Sequence, residues 1–145
     1  MVERPHEWHR RDDTVSTDPS RLDLDVIHGF LTTSYWVPGI VREVVETALR
    51  HSLCFGLYRL DAQIGFARVV TDYARFGYLL DVFVLEEFRG QGLGKWLISC
   101  ILDCPCLSSL PSIGLATRDA HEFYETFGWQ RLTKTDHLMM LRRAD

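Results

Sequence analysis

Between residues 18 and 49 the apolar positions fall on a helical period. Asp18-Pro19 reads as a helix start, with a capping carboxylate and a proline where a missing N–H costs nothing. Leu24, Ile27, Phe30 and Leu31 give the first helical face, and Pro38-Gly39 ends it. Val41, Val44, Val45, Ala48 and Leu49 fill every position of the i, i+3, i+4, i+7, i+8 template and predict a second helix. The period then shortens to two. Leu53 to Leu60 and Gln63 to Thr71 alternate and meet at Asp61-Ala62, the pattern of a hairpin. A turn at Asp72 to Arg75 leads into Phe76 to Leu85, the most apolar strand of the chain. Leu93, Trp96, Leu97, Cys100 and Ile101 return to the helical template.

Ser112 to Ala116 reads as a short buried strand, and Ala120, Phe123, Tyr124 and Phe127 as a short helix stopped by Gly128. Trp129 to Thr133 and His137 to Arg142 are expected to close the sheet as a final hairpin. A short strand around Thr14 to Thr17 opens the order, and residues 1–13 are expected to be a poorly ordered or edge segment. The order β-α-α-β-β-β-α-β-α-β-β predicts an α/β (α+β) sandwich in one domain over residues 1–145. Its mixed sheet of about six or seven strands is flanked by four helices.

Composition narrows the functions. The 145 residues are 46% hydrophobic and 25% charged, enough for a core without disulfide or metal support. Sixteen basic against twenty acidic residues leave a net charge of −4, which argues against nucleic acid as a partner. The longest stretch without Asp, Glu, Lys or Arg, Val26 to Val41, contains His28 and Pro38-Gly39 and is no membrane span. Residues 1–13 lack the apolar centre of a signal peptide, so a cytoplasmic location with reduced thiols is expected. Cys100, Cys104 and Cys106 invite a metal or redox reading, but their spacing matches no zinc pattern. Buried thiols and no metal are expected.

The strongest chemical signal is Arg89-Gly90-Gln91-Gly92-Leu93-Gly94-Lys95, a glycine loop joining the apolar strand to a helix. Glycines let backbone approach a ligand, and the unpaired N–H groups at a helix start favour an anion. A pyrophosphate suits that loop. The spacing fits neither a Rossmann fingerprint nor a P-loop, since Lys95 stands where the third glycine would and Arg89 where a P-loop glycine would. Asp81 is the only carboxylate between Phe76 and Leu85, and a charge in a buried strand needs a partner or a task. An ion pair with Arg68 across the hairpin is the structural alternative to catalysis. Tyr124 lies on an apolar helical stripe, where a tyrosine is usually core.

Arg89-Gly90-Gln91-Gly92-Leu93-Gly94 resembles the R/Q-x-x-G-x-G/A signature of the GNAT superfamily of acyl-CoA-dependent N-acetyltransferases. Asp81 to Phe88 looks like that family's fourth strand and its run into the loop, with Glu86 where proline is usual. Ala120 to Trp129 resembles the A-x-x-x-Y-x-x-x-G-F block, with Trp129 for the aromatic and Thr117 where asparagine often stands upstream. Tyr78 to Val84 is similar to the Y-L-E-D-x-F-V strand of polyamine-type members, but Leu80 replaces the glutamate, which argues against a polyamine substrate.

The resemblance implies acetyl-CoA as co-substrate and a primary amine of a small molecule or peptide as acceptor, joined by direct attack in a ternary complex. It implies that Arg89, Gly90, Gln91, Gly92, Leu93, Gly94 and Lys95 hold the pyrophosphate, while the backbone N–H groups of Phe83 and Val84 hold the acyl and pantetheine parts. Tyr124 becomes the candidate general acid, and Asp81, or a water it holds, the proton acceptor. His28, Tyr35 and Trp36 are the candidate substrate contacts. A homodimer is the family's habit, and a coenzyme-binding module without turnover is the alternative function.

Overall fold

The computed structural model describes residues 4–143. It divides into two compact units, one ending at Leu115 and the other starting at Ala116. The first holds a six-stranded sheet: β1 (Glu7–Arg10), β2 (Asp13–Ser16), β3 (Leu53–Arg59), β4 (Ala62–Thr71), β5 (Gly77–Val84) and β6 (Ile113–Gly114). The strands lie in chain order, antiparallel except for the parallel pair β5–β6. Three helices belong to this unit, α1 (Leu24–Leu31), α2 (Arg42–Arg50) and α3 (Leu93–Asp103).

Strands β3 and β4 are buried over most of their length, because side chains of both parities find cover. On one face Ile27 and Leu31 of α1 and Val45 of α2 pack with Cys54, Phe66 and Phe83. On the other, α3 buries Leu93, Leu97, Ile98, Cys100 and Ile101. The Trp8 ring lies 6.2 Å from Phe55, and its indole N–H donates to Asp103 at 3.1 Å, which ties β1 to the end of α3.

Three details differ from the sequence reading, and the segment expected to be poorly ordered or an edge resolves, over the described residues, as an edge. Asp18-Pro19 starts a separate 3₁₀ turn, Pro19–Arg21, and α1 has its own N-cap in Asp23, whose carboxylate accepts from the Val26 N–H. Residues 7–10 form a full strand registered residue for residue against β2. Its mostly exposed charged side chains suit a sheet edge. The strand expected over residues 112–116 shortens to Ile113–Gly114.

The final hairpin does not form. Trp129 to Thr133 and His137 to Arg142 contain no strand among the described residues, only a 3₁₀ turn at Thr135–His137. Leu132, Leu138, Met139, Met140 and Leu141 are 66–95% exposed, and a two-stranded ribbon that buries no face is marginal. The second unit is instead organised around α4 (His121–Glu125). The Ala120 N–H donates to Thr117 Oγ1 at 3.0 Å ahead of the helix. After it, Gly128 takes φ 109°, and the Phe127 and Trp129 N–H groups both return to the Tyr124 carbonyl. That turn folds residue 129 back onto α4 and away from an extended path. No helix among the described residues is long and apolar enough to cross a membrane.

Candidate active site

Between the pairs Arg68↔Leu80 and Phe66↔Phe83, strand β4 contributes Ala67 and β5 contributes both Asp81 and Val82. This two-against-one count is a β-bulge, which re-aims side chains and increases local twist. Asp81 sits in it with φ 56°, a left-handed conformation that costs roughly 1 kcal/mol or more for a residue with a Cβ. Its carboxylate holds the strain in place. Arg68 Nε donates to one oxygen at 2.6 Å and Trp36 Nε1 to the other at 2.9 Å. The Asp81 side chain is 8% exposed and that of Arg68 16%, while Arg68 also donates to Ser52 Oγ at 3.0 Å. The cross-hairpin ion pair is therefore present, joined by an indole that sequence periodicity did not point to.

Trp36 arrives from the loop between α1 and α2, so the bulge and that loop meet. The Phe30 ring stacks on Phe83 with centroids 4.0 Å apart and planes 9° from parallel. Trp36 lies 6.0 Å from Phe30 and 5.0 Å from Tyr35. Trp36 and Tyr35 remain 38% and 52% exposed, so an aromatic surface stands beside the acidic bulge. Such a pairing suits a cationic or amine-bearing ligand. His28 has a different position. Its Nε2 lies 3.0 Å from the Ile40 carbonyl, which can only accept, so Nε2 carries the proton and the ring clamps the far end of the same loop.

Strand β6 pairs with β5 only at Gly77 and Tyr78. From Leu79 to Val84 that side of β5 has no strand neighbour among the described residues, which leaves Phe83 and Val84 beyond the parallel ladder. The chain then makes a short turn, Glu86–Phe88, and reaches the glycine loop. Gly90 and Gly92 adopt φ 80° and 77°. Gly92 is the N-cap of α3 and offers no side-chain acceptor, so the first N–H groups of the helix have no acceptor within it. A Cβ at Gly90 or Gly92 would meet no atom within 4 Å, so φ alone, and not crowding, demands glycine here.

The charges near the loop exceed those flagged by Arg89 and Lys95. Arg89 Nε donates back to the Val84 carbonyl at 2.9 Å, tying the loop to the end of β5, while Lys95 is exposed on the first turn of α3. Arg59 bridges Asp13, at 2.8 Å, and the Gln91 side chain, at 2.9 Å. That contact raises the guanidinium's proton affinity, chiefly through the hydrogen bond to Asp13. Arg10, Arg11, Asp12, Asp13, Arg59, Gln91 and Leu93 line a surface cavity of about 640 Å³. Sequence reading missed this charged wall, in which Asp12 and Asp13 stand among the arginines, because the β1–β2 turn and β3 are distant along the chain. The adjacent Arg10-Arg11 pair at a turn was its only trace.

Tyr124 is half-buried on α4, with its ring 5.6 Å from Trp129 and 5.1 Å from Phe123, both edge to face. Cys54 and Cys100 are buried, and burial pushes both thiols up to about 12. At neutral pH they are poor nucleophiles.

Comparison with known proteins identifies the family. The family model described as an acetyltransferase (GNAT) domain matches residues 50–131. A Gibberella zeae protein named as an acetyltransferase is 34% identical over 120 residues, covering 69% of this chain and 68% of that protein. The crystal structure of a Xanthomonas campestris protein named as an acetyltransferase of the GNAT family is 39% identical, superimposes with a TM-score of 0.85, and covers 99% of this chain and 96% of its own. Glucosamine-6-phosphate N-acetyltransferase from Arabidopsis thaliana, 16% identical with a TM-score of 0.64 over 92% of this chain and 99% of its own, shares the fold. With the family model spanning more than half of its length, the chain belongs to the GNAT family of acetyltransferases and is an acyltransferase.

Proposed function

We propose that the chain transfers the acetyl group of acetyl-CoA to a primary amine of a small molecule or peptide, by direct attack within a ternary complex. The observation that carries this reading is the coupling of Asp81 in the β5 bulge to Trp36 beside the glycine loop's strand. The family uses acetyl-CoA as co-substrate. In this reading the N–H groups from Gly90 to Lys95 receive the pyrophosphate, with Arg10, Arg11 and Arg59 supplying positive charge alongside. The backbone N–H of Val84, on the side of β5 away from β4, orients the pantetheine arm and stabilises the oxyanion formed when the amine nitrogen adds to the thioester carbon, whereas the expected Phe83 N–H faces β4.

Carbon–sulfur cleavage then yields the N-acetyl amine and a thiolate, and Tyr124 O–H is assigned as the group that protonates the sulfur. Each oxygen of Asp81 accepts one bond from the protein and retains a lone pair. It can therefore take an N–H of the incoming amine or a water that removes its proton. Tyr35 and Trp36 wall the acceptor, and His28 holds their loop. The high proton affinity of the Cys54 and Cys100 thiols favours direct attack over an acyl-cysteine route through either of them. The family match from residue 50 to 131 crosses the division at residue 115, which supports one working domain.

A second reading, a coenzyme-binding module without turnover, is favoured by one observation: both Asp81 oxygens already have partners inside the protein. Thiol release from acetyl-CoA across a panel of primary amines separates the two. Amine-dependent release is expected. Acetyl-CoA binding with no release from any amine would establish the second reading. Tyr124→Phe should lower kcat by at least about 100-fold while leaving the KM for acetyl-CoA near the parent value. Equal kcat values would remove Tyr124 from catalysis.

A further inference from the structure

Apart from the acyl-transfer site, His6, Cys104 and Cys106 converge at the opposite end of α3 from the glycine loop. One ring nitrogen and the two Sγ atoms all lie within 4.8 Å of one another. The two sulfurs are 3.1 Å apart. The sequence marks only the cysteines, because the third member, His6, stands almost a hundred residues upstream and is brought to them by the β1–β2 pairing and the Trp8–Asp103 bond.

The three side chains are held by their backbones before any ion arrives. The His6 N–H donates to Thr17 Oγ1 at 2.8 Å, and the His6 carbonyl accepts from the Thr17 N–H at 3.0 Å. Two residues on, the Trp8 indole N–H is bonded to Asp103, the residue preceding Cys104. Cys104 ends α3 with its N–H on the Ile101 carbonyl at 3.2 Å and starts the 3₁₀ turn Pro105–Leu107, whose proline fixes the backbone between the two thiols. Buried Leu107 anchors the far side of that turn.

We propose that His6, Cys104 and Cys106 form a binding site for a thiophilic divalent cation of the zinc class. Two thiolates and a neutral imidazole match zinc's preference for sulfur and nitrogen, and zinc sites with three protein ligands take water as the fourth. Tetrahedral zinc bonds of about 2.3 Å to sulfur and about 2.0–2.1 Å to nitrogen hold ligand atoms roughly 3.5–3.8 Å apart. The sulfurs need separate only slightly to reach that, and half-buried Cys106 has room to rotate. Binding displaces the thiol protons to solvent and leaves a site of no net charge. The bound ion clips edge strand β1, which has only β2 as a strand neighbour among the described residues, to the end of α3.

The test uses the full chain, reduced and stripped of metal with a chelator, then titrated with Co²⁺ and afterwards with Zn²⁺. Uptake of one Co²⁺ per chain with intense tetrahedral visible bands and thiolate-to-metal charge transfer, proton release, and displacement by Zn²⁺ are expected. His6→Gln and Cys106→Ser alter partly exposed positions, and each should weaken binding by more than the roughly 10- to 100-fold typical of losing an outer-shell partner. Exposed His9→Gln serves as the control and should bind as the parent does. No stoichiometric uptake, a weak octahedral cobalt spectrum, or unchanged affinity in both variants would overturn the proposal. So would a Cys104–Cys106 disulfide that persists under reductant.

Discussion

Two stretches of backbone near the candidate site share a left-handed conformation and use it in opposite ways. At the β5 bulge the residue is Asp81, with φ 56°, and both carboxylate oxygens are bonded inside the protein by Arg68 and Trp36. At the glycine loop the residues are Gly90 and Gly92, with φ 80° and 77°, and the first N–H groups of α3 point from an N-cap that has no side chain to offer them. The bulge is a strained position over-determined by an ion pair, which fixes where the Asp81 carboxylate stands. The loop reaches the same region of φ without strain, and under the proposed function its N–H groups receive the coenzyme's pyrophosphate. In the proposed function a single strand thus carries a rigid acceptor-side anchor before its end and the coenzyme's anion cradle after it.

Breaking the loop should have the largest effect. Gly92→Asp places a carboxylate where a pyrophosphate is expected, a like-charge contact worth several kcal/mol, so acetyl-CoA affinity should fall by more than about 100-fold in calorimetric titration. Fold stability should drop by only about 1–2 kcal/mol from the φ penalty. Parent-like affinity would show that the loop is only a turn.

Breaking the bulge should give the opposite pattern. Asp81→Asn leaves Arg68 without its carboxylate, and because Arg68 is only 16% exposed the loss of stability should be about 3 kcal/mol, read by denaturant unfolding. Acetyl-CoA affinity should stay at the parent value while kcat/KM for the amine falls. A fall in coenzyme affinity as large as that of Gly92→Asp would erase the distinction between the two regions. Trp36→Phe sharpens it further by removing one hydrogen bond to the carboxylate. The expected loss is about 1 kcal/mol of stability, read by denaturant unfolding, with a raised KM for the amine and parent-like acetyl-CoA affinity.

The smallest effect concerns Cys54, beside the bulge, whose thiol is pushed up to about 12 mainly by burial, with Arg68 opposing and Asp81 reinforcing. The native chain keeps a proton that the unfolded chain loses near its ordinary thiol value. That contribution is complete below the ordinary value and is lost as pH rises towards about 12. Urea midpoints measured across the alkaline range should therefore fall, and Cys54→Ala should flatten the fall.

Sequence alone exposed what depends on local pattern. The period of Val41 to Leu49 and of Leu93 to Ile101 predicts α2 and α3, since an amphipathic helix is defined by its own neighbours. Asp81 stood out because a carboxylate in an apolar strand needs a partner, and Arg68 was nameable from the hairpin. Features that rest on long-range pairing were not readable. Residues 1–13 read as either a poorly ordered or an edge segment, and pattern alone did not choose, because the order of β1 comes from the pairing with β2 and the contacts of Trp8. The Arg59–Gln91 bridge and the His6–Cys104–Cys106 group join segments that only the sheet brings together. The final hairpin erred in the other direction. Alternation from Trp129 onward suggests strands, but alternation creates a strand only where a face is buried, and Leu138 to Leu141 bury none.

The most direct test of the account is thermal unfolding of the parent and of Gly92→Asp with excess acetyl-CoA and, separately, with NAD. At a hundred times its dissociation constant a ligand adds about 2.7 kcal/mol, so the parent should melt higher with acetyl-CoA alone, and the variant should not shift. An equal shift in both proteins, or one produced equally by NAD, would contradict the assignment of the Gly90–Gly94 loop as the coenzyme's cradle.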